Sequence, residues 1–486
     1  MLPDDARRFR DYLASTGFTD AARIEAHLLT EASLPQARRL PRLRSLTADE
    51  TPFAVLARLF LIGDPVEARL AERVLPADFR DLATRLGFLG AEGGQVTASW
   101  RVRPFRDLLV VSDHYRQILG ADASEHVLTV NPAAILMLDS TIRRPFPSVL
   151  DVGCGNGIQA LVAAAHSVSV TATDINPRCV FFTRLTAALN NVSNIECLEG
   201  DLFAPVSGRT FDLIVANPPF ILGPSEGLVY ASSVEEPLDS FCRRLVREAP
   251  PLLAEGGFLQ IICEWAEVEG EPWTKRLEAW FAGSGCDAWV MPLYAQSPES
   301  YTQSKMLDSP WRSEDDDAAF FARWMTFFRA HRVAAMHGGL IALRRRTGRT
   351  WAKFMTHAER PPGAFGDAVH RGFANRDVLE ACPEDKDLLE CRLVLAPSVR
   401  LVCVHRAQGG SWGIESVRLA QPDGLFGEFP LRSDAADFCG RFESARPLLE
   451  LARALAARAD VPVDAVVPEV CALTRELLER GLLMPA

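Results

Sequence analysis

At 486 residues the chain exceeds what one core holds, since domains average roughly 100–200 residues, so about three units are expected. Hydrophobic residues at 48% and charged residues at 24% exclude a disordered chain and a fibrous repeat. A net charge of −11 excludes a protein that coats nucleic acid non-specifically, because such binding rests on neutralising phosphates.

The start, MLPDDARRFRDYLASTGF, carries acids and a polar helical pattern where a signal peptide needs a basic start and an apolar stretch. The richest apolar run, Val127 to Leu138, is broken by Asn131 and Pro132 and falls short of a membrane span. The expected location is therefore cytoplasmic, with no membrane partner. The 11 cysteines include no C-x-x-C pair, so no metal is expected and the thiols read as buried. Two basic clusters, Arg38, Arg39, Arg42 and Arg44, and Arg344, Arg345, Arg346 and Arg349, read as solvated faces or element ends.

Residues 1–124 read as a mostly helical module. Phe53, Leu56, Leu59 and Phe60 recur at helical spacing, Gly63-Asp64-Pro65 interrupts, and helices follow over Val66–Leu75 and from Pro76 to about Gly87. The Gly90–Gly94 turn and the alternating Val96–Val102 run then predict a small hairpin, a winged-helix-like arrangement that by itself decides no function.

From Ser148 short apolar runs alternate with helical stretches. Strands are predicted at Ser148–Val152, Val168–Thr173, Ile195–Glu199, Phe211–Val215, Phe258–Cys263, Asp287–Pro292 and Gly339–Arg344, which gives an α/β fold with a doubly wound, mostly parallel, seven-stranded sheet. Ligands bind such sheets outside the carboxyl ends of the strands, at the topological switch point. Chemistry is thereby expected just after Val152, Thr173, Glu199 and Val215. Residues 348–486 read as an α+β module with a winged-helix-like end. Strands are expected there at Cys391–Leu395, Arg400–His405 and Ser416–Leu419, with helices from Pro447 and over Val467–Leu478.

Four strand ends carry the candidate site. Asp151-Val152-Gly153-Cys154-Gly155-Asn156-Gly157 is a glycine-rich turn opening a helix, and alone it fits a nicotinamide site, a nucleotide site or a tight turn. The dinucleotide fingerprint fails, because Ile158 stands where its third glycine belongs. Asp174 ends the second strand, where a carboxylate can accept from both hydroxyls of a ribose. Gly200-Asp201-Leu202-Phe203 follows the third strand, with Asp201 available to an adenine amino group and the Leu202 N–H to a ring nitrogen. Asn217-Pro218-Pro219-Phe220 follows the fourth.

The combination of D-V-G-C-G-N-G, Asp174, G-D-L-F and N-P-P-F resembles class I S-adenosylmethionine-dependent methyltransferases that modify planar nitrogens. It looks most like the release-factor glutamine methyltransferases and the small-domain ribosomal RNA guanine-N2 methyltransferases, over about residues 125–347. The resemblance implies a Rossmann-like fold with S-adenosyl-L-methionine as cofactor, bound by Asp151, Gly153, Gly155, Gly157, Asp174, Asp201 and Leu202. It implies catalysis by Asn217, Pro218, Pro219 and Phe220, and a macromolecular substrate, protein or RNA. In that mechanism the Asn217 side-chain oxygen and the Pro218 carbonyl hold the two N–H groups of the target, and Phe220 stacks on its flat face. Alternatives are a peptide or small-molecule tailoring methyltransferase, or an inactive cofactor-binding scaffold.

Weaker readings complete the set. Val127–Pro132 is a candidate to close over the methionine part of the cofactor, and Tyr230, Glu235 and Glu236 to rim the substrate site. Cys154 is explained by its small size, and His337 reads as a strand-end residue rather than a base. The flanking modules are expected to recognise substrate, and removing residues 1–100 or 350–486 to leave a folded core.

Overall fold

The computed structural model describes residues 3–28, 36–114, 125–224, 238–308, 313–356 and 360–486. It divides into two compact units, residues 1–138 with 144–355, and residues 139–143 with 356–486.

The sheet of the first unit is built, in chain order, from β1 (Phe146–Val152), β2 (Ser167–Asp174), β3 (Ile195–Glu199), β4 (Phe211–Ala216), β5 (Leu253–Val268), β6 (Cys286–Gln296), β7 (Val333–Arg345) and β8 (Ala352–Phe354). Between them run helices α1 (Ile158–Ala164), α2 (Pro177–Leu189), α3 (Ser240–Glu248), α4 (Trp273–Phe281), α5 (Pro298–Asp308) and α6 (Glu314–Ala330). The spatial order is β3-β2-β1-β4-β5-β7-β6-β8. β1 to β5 pair in parallel, whereas β7 runs antiparallel to both β5 and β6. The consecutive buried runs Val149–Val152 and Leu213–Ala216 reflect strands covered on both faces, so these segments show no alternation.

All seven predicted strands form. The eighth, Ala352–Phe354, lies past the boundary expected at residue 347 and pairs in parallel with β6. Three edge residues are too few to show a period, so no pattern could reveal it. The sheet order reverses between β1 and β4, which fixes the switch point at their carboxyl ends.

The N-terminal elements share a continuous core with α2. Phe9, Phe60, Phe79 and Phe88 pack in one cluster with Cys179, Phe182 and Leu189 of α2. The predicted Val96–Val102 strand divides into Gln95–Ala98 and Arg101–Phe105. Trp100 lies at the break, its ring edge-on to Phe88 and Phe182 at centroid distances of 5.5 and 6.1 Å. Hydrogen bonds reinforce the junction. Leu109 N–H donates to Asn190 Oδ1 (2.9 Å), Asn190 Nδ2 donates to the Leu109 carbonyl (2.7 Å), and Val111 N–H donates to Thr186 Oγ1 (3.2 Å).

The basic clusters are largely engaged. Arg44 binds Asp64 through Nε and Nη2 at 2.6 and 3.1 Å, Arg344 binds buried Asp287 at 2.6 Å, and Arg345 donates to the Pro250 carbonyl. The side chains of Arg38 and Arg39 lie outside the described residues.

In the second unit, helices Gly366–Ala381, Leu448–Ala459 and Val463–Glu479 surround a core of Leu388, Phe438, Phe442, Leu451 and Leu477. Its strands Arg400–Gln408, Ser411–Ala420 and Phe429–Leu431 form an antiparallel sheet. The chain ends in one strand, Leu483–Pro485, paired with Leu393–Leu395.

The shared core runs against the expectation that residues 1–100 can be removed from a self-standing domain. Loss of residues 1–112 would bare the apolar face of α2 and take from Asn190 its partners Arg10 and Leu109. Deletion of residues 1–112 is therefore expected to give unfolded or aggregated protein, and Phe182→Ala in the full chain to cost about 3–5 kcal/mol. Urea denaturation checks both, and a soluble deletion product with a wild-type midpoint would contradict this reading.

Candidate active site

Strand register brings the candidate residues to one edge. Val152 of β1 is the register partner of Thr173 on one side and Ala216 on the other, and Asp174 is the partner of Glu199. Gly153 and Asn217 therefore leave adjacent parallel strands at the same level, about 4.8 Å apart. The G-D-L-F segment leaves next to Asp174.

The glycine-rich turn is held from two sides. Gly153 N–H and Cys154 N–H both donate to the Thr173 carbonyl, at 2.8 and 3.0 Å, and Gly155 N–H donates to Asp174 Oδ2 at 3.0 Å. The other Asp174 oxygen accepts from Asn176 N–H at 2.9 Å. Burial pushes the Asp174 carboxyl up, and these backbone donors oppose the shift. Gly157, at φ 83°, must be glycine, because a Cβ there would lie 2.9 Å from Thr183 Cγ2. Gly153 and Gly155 also have positive φ, but nothing stands within 4 Å of where their Cβ atoms would be. Among the described residues the turn thus has open space beside Gly153 and Gly155.

Asp151 occupies a different place from that expected. Its carboxylate is buried and accepts from Ala160 N–H in the first turn of α1 at 3.0 Å, so it braces the turn from beneath. Burial, with the nearby Asp174 charge, pushes its pKa up to about 7. Cys154 is likewise buried, its thiol held high by burial and its sulfur accepting from Thr183 Oγ1. Asp201 is exposed and lies 3.5 Å from Arg244, while the Leu202 carbonyl accepts from Thr173 Oγ1 at 3.2 Å. Leu202 sits at φ 41°, an uncommon conformation for a branched residue, and half-buried against the sheet core.

The N-P-P-F segment is split in its exposure. Pro218 is buried, Pro219 exposed, Asn217 and Phe220 intermediate, and Phe220 packs on the sheet core. The Asn217 amide makes no hydrogen bond among the described residues, so its acceptor and donors are available to a ligand. Tyr230, Glu235 and Glu236 lie outside the described residues. His337 pairs with Glu267 at 2.8 Å on the β5–β7 ladder, as a strand residue would.

Several residues unassigned from the sequence hold the segment before the sheet. Asn156 Nδ2 donates to the Leu128 carbonyl at 2.7 Å, and Asn156 Oδ1 accepts from Ile158 N–H. Asp113 accepts from Val127 N–H at 2.8 Å and from Arg178, with His126 at 3.8 Å. Val127 and Leu128 are thereby pinned beside the glycine turn. Asn156 lay inside the motif and was legible; Asp113 and Arg178 are far apart in sequence and gave no signal.

Comparison with known proteins bears on this geometry. Residues 129–271 match the family described as methyltransferase small domain, and residues 17–99 match a domain family of unknown function. The chain is 31% identical over 163 residues to a candidate protein N5-glutamine methyltransferase of Methanocaldococcus jannaschii, covering 30% of this chain and 77% of that one. The chain belongs to the methyltransferase small-domain family. It is also 36% identical over 129 residues to the ribosomal RNA small subunit methyltransferase C of Sodalis glossinidius, covering 26% of this chain but 33% of that protein. It thus spans only about a third of the ribosomal relative. This methyltransferase small-domain protein is an S-adenosylmethionine-dependent methyltransferase with a Rossmann-like sheet. No described helix is long and apolar enough to cross a membrane.

The raised Asp151 pKa has a consequence for stability. The folded carboxyl is pushed up to about 7 from an ordinary aspartate value of about 3.9, so the folded state holds this proton more tightly than the unfolded chain. Its contribution is complete below about pH 4 and is lost as pH rises through 7. Asp151→Asn should remove about 2–3 kcal/mol of the stability decline between pH 5 and pH 8. Denaturant midpoints at both pH values check this, and an unchanged difference in the variant would contradict it.

Proposed function

We propose that this protein transfers a methyl group from S-adenosyl-L-methionine to a planar amide or exocyclic amino nitrogen of a macromolecule. The observation that carries the reading is the free Asn217 amide one strand spacing from a glycine turn that faces open space. The charged side chains that bond the turn and the helix it opens are acids, Asp174 and Asp151, which suits a cationic sulfonium better than a pyrophosphate.

S-adenosylmethionine supplies an electrophilic methyl group. The chain's own residues do the rest. The glycine turn lets the backbone approach the methionine part, Asp174 accepts from the ribose hydroxyls, and the Asp201–Leu202 segment reads the adenine edge. An amide or aromatic amine is a weak nucleophile because its lone pair is delocalised. Asn217 Oδ1 and the Pro218 carbonyl accept its two N–H groups and turn the lone pair toward the methyl, while Phe220 stacks on the flat group. The two prolines stiffen the loop and lower the entropy lost in fixing these acceptors. Positioning of this kind can contribute roughly 7–11 kcal/mol to the rate.

The two relatives' names describe a protein glutamine acceptor and a ribosomal RNA acceptor. The net charge of −11 and the larger share of the glutamine methyltransferase that is covered favour the protein amide.

Two variants test the reading. Asp174→Ala should weaken S-adenosylmethionine binding at least tenfold, since two charge-assisted hydrogen bonds of about 1.5–3 kcal/mol each are at stake. Calorimetry showing unchanged affinity in a folded variant would remove Asp174 from the site. Asn217→Ala should leave that affinity within a few fold and lower single-turnover transfer by about 10²–10³, with Asn217→Asp retaining more activity. A near-wild-type rate for Asn217→Ala would reduce N-P-P-F to a turn.

A further inference from the structure

β6 and β7 are antiparallel neighbours, which a two-residue hairpin can join. The chain instead inserts α5 and α6 between them, and these helices pack on the segment that leaves N-P-P-F. Leu222 is buried in one cluster with Tyr301 of α5 and with Phe320, Trp324 and Phe328 of α6. Gly223 lies under the Trp324 ring so closely that a Cβ would stand 2.6 Å from it.

A buried polar group joins the insertion to the loop. Glu264 of β5 is 2% exposed and stands three residues past Ile261, the register partner of Ala216 at the end of β4. Its carboxylate accepts from the Tyr301 hydroxyl, from the Tyr294 hydroxyl at 2.8 Å and from Lys305 at 3.3 Å. The Tyr301 oxygen in turn accepts from Leu222 N–H at 2.9 Å. Burial and the adjacent carboxylate hold the Tyr301 phenol well above its usual range, so it stays protonated and keeps donating. Gly338 makes room for Tyr294, since a Cβ there would meet the ring at 2.2 Å. A carboxylate buried at this depth is costly unless it is paired and hydrogen-bonded, and here two hydroxyls and the Lys305 ammonium meet it.

We propose that Glu264 and Tyr301 are positioning residues for methyl transfer, holding the outgoing end of the N-P-P-F loop so that Asn217 and Phe220 present a fixed acceptor site. The proposal rests on the reading of that loop as the acceptor site. The insertion is then the scaffold on which the acceptor side is built, as the N-terminal elements are for α2.

The test uses the full chain and two readouts. The first is amide hydrogen exchange of the Ile221–Gly223 segment, which needs no substrate. The second is single-turnover transfer from tritiated S-adenosylmethionine to total protein and total RNA of a strain lacking the gene. Tyr301→Phe keeps the ring and its packing but removes the atom that links Leu222 to Glu264. It should speed exchange of the Leu222 amide at least tenfold and slow transfer about 10–100-fold, with S-adenosylmethionine affinity unchanged within twofold. Glu264→Gln, which keeps an acceptor for Tyr301, should retain most of the Leu222 protection and of the transfer rate; Tyr294→Phe should leave the Leu222 amide protected. Unchanged exchange in Tyr301→Phe would overturn the clamp, and faster exchange with an unchanged rate would overturn its role in transfer. A wild-type protein that methylates neither fraction would overturn the acceptor reading, while exchange would still decide whether the loop is clamped.

Discussion

One carboxylate, Asp174, ties the turn after β1 to the end of β2 by accepting from Gly155 N–H and Asn176 N–H. The turn after β1 has three residues in left-handed conformation, and left alone it would sample many states. The Asp174 bond and the two bonds to the Thr173 carbonyl select one of them. That selection sets where Gly153 faces, where α1 begins, and how far the turn lies from Asn217 on the neighbouring strand. A charged group taken this far out of water needs compensation, and the backbone N–H groups supply it before any ligand arrives.

Each side of the sheet edge then has its own support. On the β2 side the N-terminal elements brace α2, the helix that starts just after Asp174, through the Phe182 core and the Asn190 hydrogen bonds. On the β4 side the α5–α6 insertion braces the chain leaving N-P-P-F. The N-terminal elements and the α5–α6 insertion both lie outside residues 129–271, which the small-domain family matches. Precise placement at an active site requires rigid neighbours, and in this chain they come from the N-terminal elements and from the helices inserted between β6 and β7.

Much of this was legible in the sequence because the sheet obeys short-range rules. Parallel strands buried on both faces show as apolar runs, and the turns after them show as glycine, acid or proline at the strand end, so all seven strands and the four site segments could be placed. Asp151 was legible as a motif residue but not as a brace, because only the fold shows that its carboxylate turns inward to Ala160. The break at Trp100 was hidden for a similar reason. Its cause is a contact with Phe182, some eighty residues away, and no local pattern records such a contact. Glu264 left a faint trace, an acid inside a run from Phe258 to Ala266 that is apolar but for Gln260, which buried strands carry only when partners exist elsewhere.

The central claim is that this site delivers a methyl group to a planar nitrogen of a macromolecule. The most direct measurement is mass spectrometry of protein and RNA from a strain lacking the gene, compared with wild type, after digestion to peptides and nucleosides. The account predicts one fragment lighter by a single methyl group, at a glutamine amide or a nucleobase amine, restored by the wild-type gene and not by Asn217→Ala. A restored methyl found on oxygen, carbon or sulfur would contradict the account, because neither an amide nor an amine would then be the group that Asn217 holds.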